Sequence, residues 1–200
     1  MDLIIDLGNT NKKLALYQDG KLSVMQMFPE INMRVIRNFV KQPPGIENCI
    51  LSSVINHPES INHYLKNHFR LIELNENTPI PVKNLYRHPE TLGKDRLAAA
   101  VAGASIFPDR DVLVINAGSC ITYEFINKRN EYLGGAISPG SQMRFMALNT
   151  FTGKLPLITL KESHDLTGND TEHSVLSGVV NGIIKEIEGN VALYRKKYRS

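Results

Sequence analysis

Leu3-Ile4-Ile5-Asp6-Leu7-Gly8-Asn9-Thr10-Asn11-Lys12-Lys13-Leu14-Ala15-Leu16-Tyr17 is the stretch that decides the fold. An apolar run too short for a helix stops at Asp6-Leu7-Gly8-Asn9-Thr10, and an alternating pattern resumes through Leu14, Leu16 and Tyr17. The segment therefore reads as a strand, a tight turn and a returning strand. Gly8 lets backbone approach a ligand without a side chain in the way, and Asn9, Thr10 and the turn amides supply donors where a phosphate could sit. Asp6, at the end of a buried strand, could hold a hydrated Mg²⁺ against that phosphate. An ordinary hairpin, whose Asp and Asn merely satisfy the turn, would use the same residues.

The pattern occurs twice. Val112-Leu113-Val114-Ile115-Asn116-Ala117-Gly118-Ser119 again runs an apolar strand into a polar residue, one spacer, a glycine and a small hydroxyl. After each copy come a second strand (Lys12 to Gln18; Ile121 to Ile126), a polar turn (Asp19-Gly20; Asn127 to Asn130) and a third strand. Shared position, order and polarity point to a duplicated nucleotide-binding architecture with two phosphate hairpins. The echo divides the chain into residues 1–109 and 110–200, each within the usual domain range of about 50–200 residues.

Composition is that of an ordinary globular protein, 42% hydrophobic and 22% charged. A formal charge of +3 is too small to argue for nucleic acid. The clearest basic cluster, Arg195-Lys196-Lys197 with Arg199, falls at a helix end, where cations suit the dipole and water. Cys49 and Cys120 sit in apolar strand-like runs without metal-ligand spacing and read as buried thiols of a reducing compartment. The N-terminus has no leader pattern and no run approaches a membrane span, so the expected location is cytoplasmic. The six histidines show no ligand pattern and read as structural or solvated.

Leu22, Val24 and Phe28 continue a third strand, and a helix follows around Asn32 to Lys41, ended by Gln42-Pro43-Pro44-Gly45. Cys49 to Val54 reads as a buried strand, Glu59 to Phe69 as a helix and Leu71 to Leu74 as a strand, the order of a ribonuclease-H-like α/β unit. Pro79 to Tyr86 reads as an extended surface connector. It delivers the chain to Leu92-Gly93-Lys94-Asp95-Arg96, just before a helix by propensity. An acid in a first helical turn is ordinary, but Gly-x-Asp-Arg preceded by Tyr86 places a carboxylate, a guanidinium and a ring at one mouth. In the second unit, Gly134-Gly135 and Pro139-Gly140 allow close backbone approach to a ligand, and a helix runs from about Ser141 to Thr150. A last helix, capped by Asp170 or Thr171, runs to about Tyr198, with Ser177-Gly178 and Gly182 suggesting tight packing or ligand contact. Measured against its own repeat, the second unit is incomplete.

Taken in order, Asp6-x-Gly8-Asn9-Thr10, Tyr86, Gly93-x-Asp95-Arg96, Gly118-Ser119, Gly134-Gly135-x-Ile137-x-Pro139-Gly140 and Thr171-Glu172 with Ser177-Gly178 resemble the successive motifs of type III pantothenate kinases, a family also labelled Bvg accessory factor. The resemblance is collinear along the whole chain. It implies the actin-like and sugar-kinase ATPase fold, built of two ribonuclease-H-like α/β units, usually a homodimer. The reaction it implies is ATP-dependent phosphorylation of pantothenate, the first step towards coenzyme A. Carried over residue by residue, it assigns Asp6, Leu7, Gly8, Asn9, Thr10, Asn11, Lys12 and Lys13 to the ATP phosphates, with Ser119 also touching ATP. Tyr86, Gly93, Lys94, Asp95, Arg96 and Thr171 are assigned to pantothenate, Asp95 as proton acceptor, and Asn116 to a monovalent cation, K⁺ or NH₄⁺. The chemistry agrees with phosphoryl transfer, which needs positioning and charge neutralisation by Mg²⁺ near Asp6, amides on the phosphates and a carboxylate orienting the hydroxyl. Arg96 can pair bidentately with the substrate carboxylate.

Three departures stand out. Asn116 occupies a position where the family has Asp, Ala15 replaces a family Gly, and the family continues past this C-terminus with a strand bearing Thr-Gly-Gly. The first and last support a second expectation, a nucleotide-binding or regulatory homologue without turnover, which Asp6, Asp95 and Arg96 oppose. A ribonuclease-H-type nuclease would need clustered carboxylates for two metals, and strand-end acids are scarce here.

Overall fold

Alternation along β1 (Asp2–Leu7) sends Leu3, Ile5 and Leu7 to one face and Ile4 and Asp6 to the other. In the computed structural model, which describes residues 1–41, 45–161 and 165–198, β1 pairs antiparallel with β2 (Lys12–Gln18), from Asp2 opposite Tyr17 to Leu7 opposite Lys12. A turn with Asp19 and Gly20 both at positive φ leads into β3 (Lys21–Phe28), antiparallel to β2. β4 (Asn48–Ser53) and β5 (Arg70–Glu73) extend the other side in parallel, so the sheet order is β3-β2-β1-β4-β5. The parallel crossovers pass through α1 (Met33–Val40) and α2 (Glu59–His68). This is the ribonuclease-H-like order that the sequence predicts.

Leu3, Ile5 and Leu7 of β1, with Leu14, Leu16, Cys49 and Leu51, meet Ile36 and Phe39 of α1 and Ile61 and Leu65 of α2 in one buried cluster. Asn32 caps α1, its Oδ1 accepting from Val35 N at 3.1 Å. The segment Gln42-Pro43-Pro44, expected to end that helix, lies outside the described residues, as do His164 and Arg199. Burial pushes the Cys49 thiol up to about 12, which leaves it an inert core group. Cys120, expected to be buried, is only half-buried, because it lies at the turn end of its strand.

The chain forms two compact units, Met1–Pro81 with Tyr86–Ala98, and Val82–Leu85 with Ala99 onward. In the second, β7 (Val112–Ala117), β8 (Cys120–Ile126) and β9 (Glu131–Pro139) repeat the antiparallel meander. The connector read as an extended surface crossing instead contributes β6 (Lys83–Asn84), parallel to β9, with Lys83 N on Asn130 O at 2.7 Å and Leu85 N on Tyr132 O at 2.9 Å. Its backbone donors find acceptors on the open edge of β9, and periodicity over so short a segment carries no sign of that. Among the described residues β7 has a neighbour on one side only, whereas its counterpart β1 is paired on both.

Helices α4 (Ser141–Phe151) and α5 (Thr171–Tyr198) pack around Phe145, Val175, Leu176 and Val179. Further along α5, Tyr198 stacks on Phe125 of β8 with ring centroids 3.9 Å apart. The glycine pair at 134–135, read as a place for ligand approach, serves the sheet. Gly134 takes φ 99° where the β8–β9 register shifts, and a Cβ on Gly135 would fall 1.5 Å from Tyr123 O. No helix among the described residues is long and apolar enough to cross a membrane.

Candidate active site

The hairpin loop Gly8 to Asn11 closes the β1–β2 pair. A Cβ at Gly8 would stand 2.8 Å from Asn11 O, so the turn is folded too tightly for a larger residue. Lys12 Nζ donates to Asn9 O at 3.2 Å and ties the loop to the strand, while Leu7 anchors it in the core. Asn9, Thr10 and Asn11 lie exposed at its tip.

Asp6 stands directly opposite Lys13, with 3.6 Å between Oδ2 and Nζ. Burial pushes the Asp6 carboxyl up; the Lys13 charge and hydrogen bond pull it down, and the charge of Asp95 pushes it further up. Net displacement is upward, so the local positive charge does not fully compensate the carboxylate. Mg²⁺ is held by one or two carboxylates, waters and substrate phosphates. A desolvated carboxylate beside a tight amide turn suits that mode, and among the described residues no three-residue His/Cys/Asp/Glu cluster offers an all-protein cage.

Asp95 lies in the first turn of α3 (Lys94–Ile106), exposed, with Oδ1 accepting from Arg96 N at 2.9 Å. At Gly93, just outside the helix, a Cβ would lie 2.6 Å from Asp95 Oδ1, so a side chain there would displace the Asp95 carboxylate. Arg96 is buried at 8% exposure, its guanidinium 5.7 Å from the centroid of the Tyr86 ring. Lys94 turns to Glu76, Nζ to Oε2 3.3 Å. Within the first unit, then, Asp6, Lys13 and Asp95 share one electrostatic neighbourhood, and Tyr86 and Arg96 form a ring–guanidinium pair.

In the second unit, Asn116 is exposed at the end of β7 and pairs in register with Thr122. Gly118 N donates to Cys120 O at 2.9 Å, making a turn one residue shorter than the Gly8–Asn11 loop, and Ser119 is exposed on it. Gly140, read as a point of ligand approach, lies against this turn. Its N–H donates to Ser119 O at 3.0 Å, and a Cβ there would stand 2.1 Å from Gly118 O.

Thr171 opens α5, and Asp170 is the cap. Its Oδ1 accepts from His173 N at 2.8 Å, and that bond holds its carboxyl below the usual range. Thr171 lines a 920 Å³ groove between α4 and α5, with Arg144 and Leu148 on one wall and Val175 and Val179 on the other. Cβ atoms on Gly178 and Gly182 would meet nothing within 4 Å, so neither glycine is a packing point in this chain.

Sequence reasoning missed the Glu186 cluster. The Glu186 carboxylate accepts from Tyr123, Ser138 and Arg144, residues spread over β8, β9 and α4. No spacing rule links such distant positions, and only the fold brings them together.

The sequence profile describing type III pantothenate kinases matches residues 2–193. A type III pantothenate kinase from Christiangramia forsetii is 42% identical over 199 residues, 99% of this chain and 82% of the relative. One from Phocaeicola vulgatus is likewise 42% identical over 99% of this chain and 82% of its own. A solved structure from Campylobacter jejuni, described as of the Baf family, superposes with a TM-score of 0.54 at 23% identity, covering 94% of this chain and 78% of that one, a likeness of fold.

Proposed function

The chain belongs to the type III pantothenate kinase family, and on that premise we propose that it transfers the γ-phosphoryl group of ATP to the primary hydroxyl of pantothenate, giving 4'-phosphopantothenate. As a family member it is a pantothenate kinase of coenzyme A biosynthesis. The observation that carries the mechanism is the pair of carboxylates in one unit, Asp6 half-buried beside the phosphate hairpin and Asp95 exposed at a helix start, close enough for one charge to act on the other. Two carboxylates in contrasting surroundings suit two tasks.

Asp95 orients the acceptor hydroxyl and takes its proton as the oxygen–phosphorus bond forms and the bond to the ADP oxygen breaks. The amides of Gly8 to Asn11 and the Lys13 ammonium bind the phosphates, Ser119 also contacts ATP, and Asp6 would hold Mg²⁺. Mg²⁺ supplies charge neutralisation to the transferring group. Arg96, steadied by Tyr86, receives the pantothenate carboxylate, with Gly93, Lys94 and Thr171 contributing further contacts. Asn116 offers an amide oxygen to K⁺ or NH₄⁺. The chain works as a cytoplasmic homodimer in this scheme; micromolar light scattering that gave a fully active monomer would remove the dimer from it.

A non-catalytic nucleotide-binding homologue is the second reading, favoured by the exposed amide of Asn116 where a family carboxylate is expected. A coupled assay for ADP, with the product identified by mass and run with and without K⁺ or NH₄⁺, separates the two. Pantothenate-dependent ADP release with a phosphorylated product supports the kinase; ATP binding without product supports the homologue.

A further inference from the structure

Glu186, on the second half of α5, receives donors from three other elements. Tyr123 Oη on β8 donates at 3.2 Å, and the Ser138 hydroxyl on β9 and the Arg144 guanidinium on α4 also donate to it. Burial alone raises this carboxyl, but the bonds from Arg144 and Ser138 outweigh burial and hold it below the usual range. Fastening a helix to a sheet needs no more than that.

What singles out this cluster is where Arg144 leads. Its Nε donates to Pro139 O at 2.8 Å, and its backbone N–H donates to Gly140 O at 3.1 Å, so Arg144 grips the chain on both sides of Gly140. Gly140 in turn is seated on the β7–β8 turn, bonded to Ser119 O and too close to Gly118 O to admit a side chain. A continuous set of contacts within the second unit thus runs from Glu186 through Arg144 and the Pro139–Gly140 peptide to Ser119.

We propose that Glu186 is a positioning residue for the nucleotide side of the reaction, setting through Arg144 and Gly140 where the Gly118–Ser119 turn stands. The inference rests on the reading that Ser119 contacts ATP. A fixed charge is needed because a guanidinium with two directed bonds, one to a carboxylate and one to a carbonyl, has its plane defined. Losing either bond frees the side chain to rotate, and the Pro139–Gly140 peptide then loses its outer support.

Glu186→Gln removes the charge and keeps an acceptor; Arg144→Lys keeps the charge and removes the fork. Tyr123→Phe removes one donor to Glu186 without touching Arg144 and serves as the comparison. In the nucleotide-free chain, amide hydrogen exchange at Gly140 is expected to speed up about tenfold in the first two variants and stay near the parent in Tyr123→Phe. ATP affinity by calorimetry, per folded protein, should fall about tenfold in the same two, with KM for pantothenate unchanged. Unchanged Gly140 exchange in a folded Glu186→Gln or Arg144→Lys chain overturns the proposal, as does an equal effect in Tyr123→Phe, which would mark a merely structural cluster. Should Glu186→Gln fail to fold, Arg144→Lys carries the test. A parent chain that binds no ATP would instead refute the proposed function and with it the nucleotide role, and the exchange comparison would still decide whether Glu186 sets the Gly118–Ser119 turn.

Discussion

Replacing Gly140 with alanine probes the contact on which the Gly118–Ser119 turn is seated. The backbone there has φ −72° and ψ 176°, which alanine adopts without strain, so any loss reports sterics and not dihedral preference. The new Cβ would lie 2.1 Å from Gly118 O and 2.7 Å from Ser119 O. Ordinary contact begins at 3.4 Å, so the turn must retreat by more than an ångström, and the 3.0 Å bond from Gly140 N to Ser119 O cannot survive that movement. Overpacking costs about 1–3 kcal/mol and the lost hydrogen bond about 1, giving a destabilisation of roughly 2–4 kcal/mol. Gly189→Ala is the control: its Cβ meets nothing within 4 Å in the interior of α5, so it should gain about 0.5–1 kcal/mol. Urea unfolding of both variants measures the two effects with opposite signs. A parent-like midpoint for Gly140→Ala, alongside the expected gain for Gly189→Ala, would refute the reasoning.

On the proposal that Asp95 meets the acceptor hydroxyl and Asp6 the metal, Asp95→Asn is expected to lower turnover by about 10²–10⁴ while ATP binding persists; parent turnover in the variant removes the assignment. Asn116→Asp should raise both ATP affinity and its dependence on K⁺, because a carboxylate holds a cation that an amide dipole holds weakly. Titrating ATP at several K⁺ concentrations against both chains checks it, and identical responses mean that position 116 does not face the nucleotide cation. The Asp6 carboxyl is raised in the fold above its ordinary 3.8, chiefly by burial, so the native chain keeps this proton to higher pH than the unfolded one. Ionisation of Asp6 therefore subtracts stability as pH rises from 3.8 through the native value, and Asp6→Asn should unfold with a flatter pH dependence across that window; an unchanged slope counts against it. Ser52 Oγ is buried without a hydrogen-bond partner, so Ser52→Ala should leave thermal stability unchanged or raise it by up to about 1 kcal/mol, and a clear loss would mean that the hydroxyl has a partner in solution.

Much of this molecule is written locally. The Leu3, Ile5, Leu7 alternation, the polar stop at Asp6 to Thr10 and the Asp19-Gly20 turn each act over a few residues, and the β1–β2–β3 meander forms where they place it. Asn32 and Asp170 cap helices through side chains that reach their own first turn, and sequence places both helix starts to within a residue. Ordered motifs from Asp6 to Ser177 identify the family because their sequence and spacing, unlike any single turn, are improbable together. Long-range pairing decided the rest. Lys83 and Asn84 become a strand because the edge of β9 accepts them, not because of any period of their own. Gly134-Gly135 and Gly140 look alike in sequence, yet they turn out to serve backbone-to-backbone approach inside the second unit, where carbonyls of Tyr123 and Gly118 fill the space of a missing Cβ. Glu186, Arg144 and Ser138 carry no joint pattern, since a carboxylate's partners are chosen by which side chains the packed helices and sheet bring within about 3 Å. Local propensity needs only neighbours along the chain, whereas a site built from four elements exists only once those elements have packed.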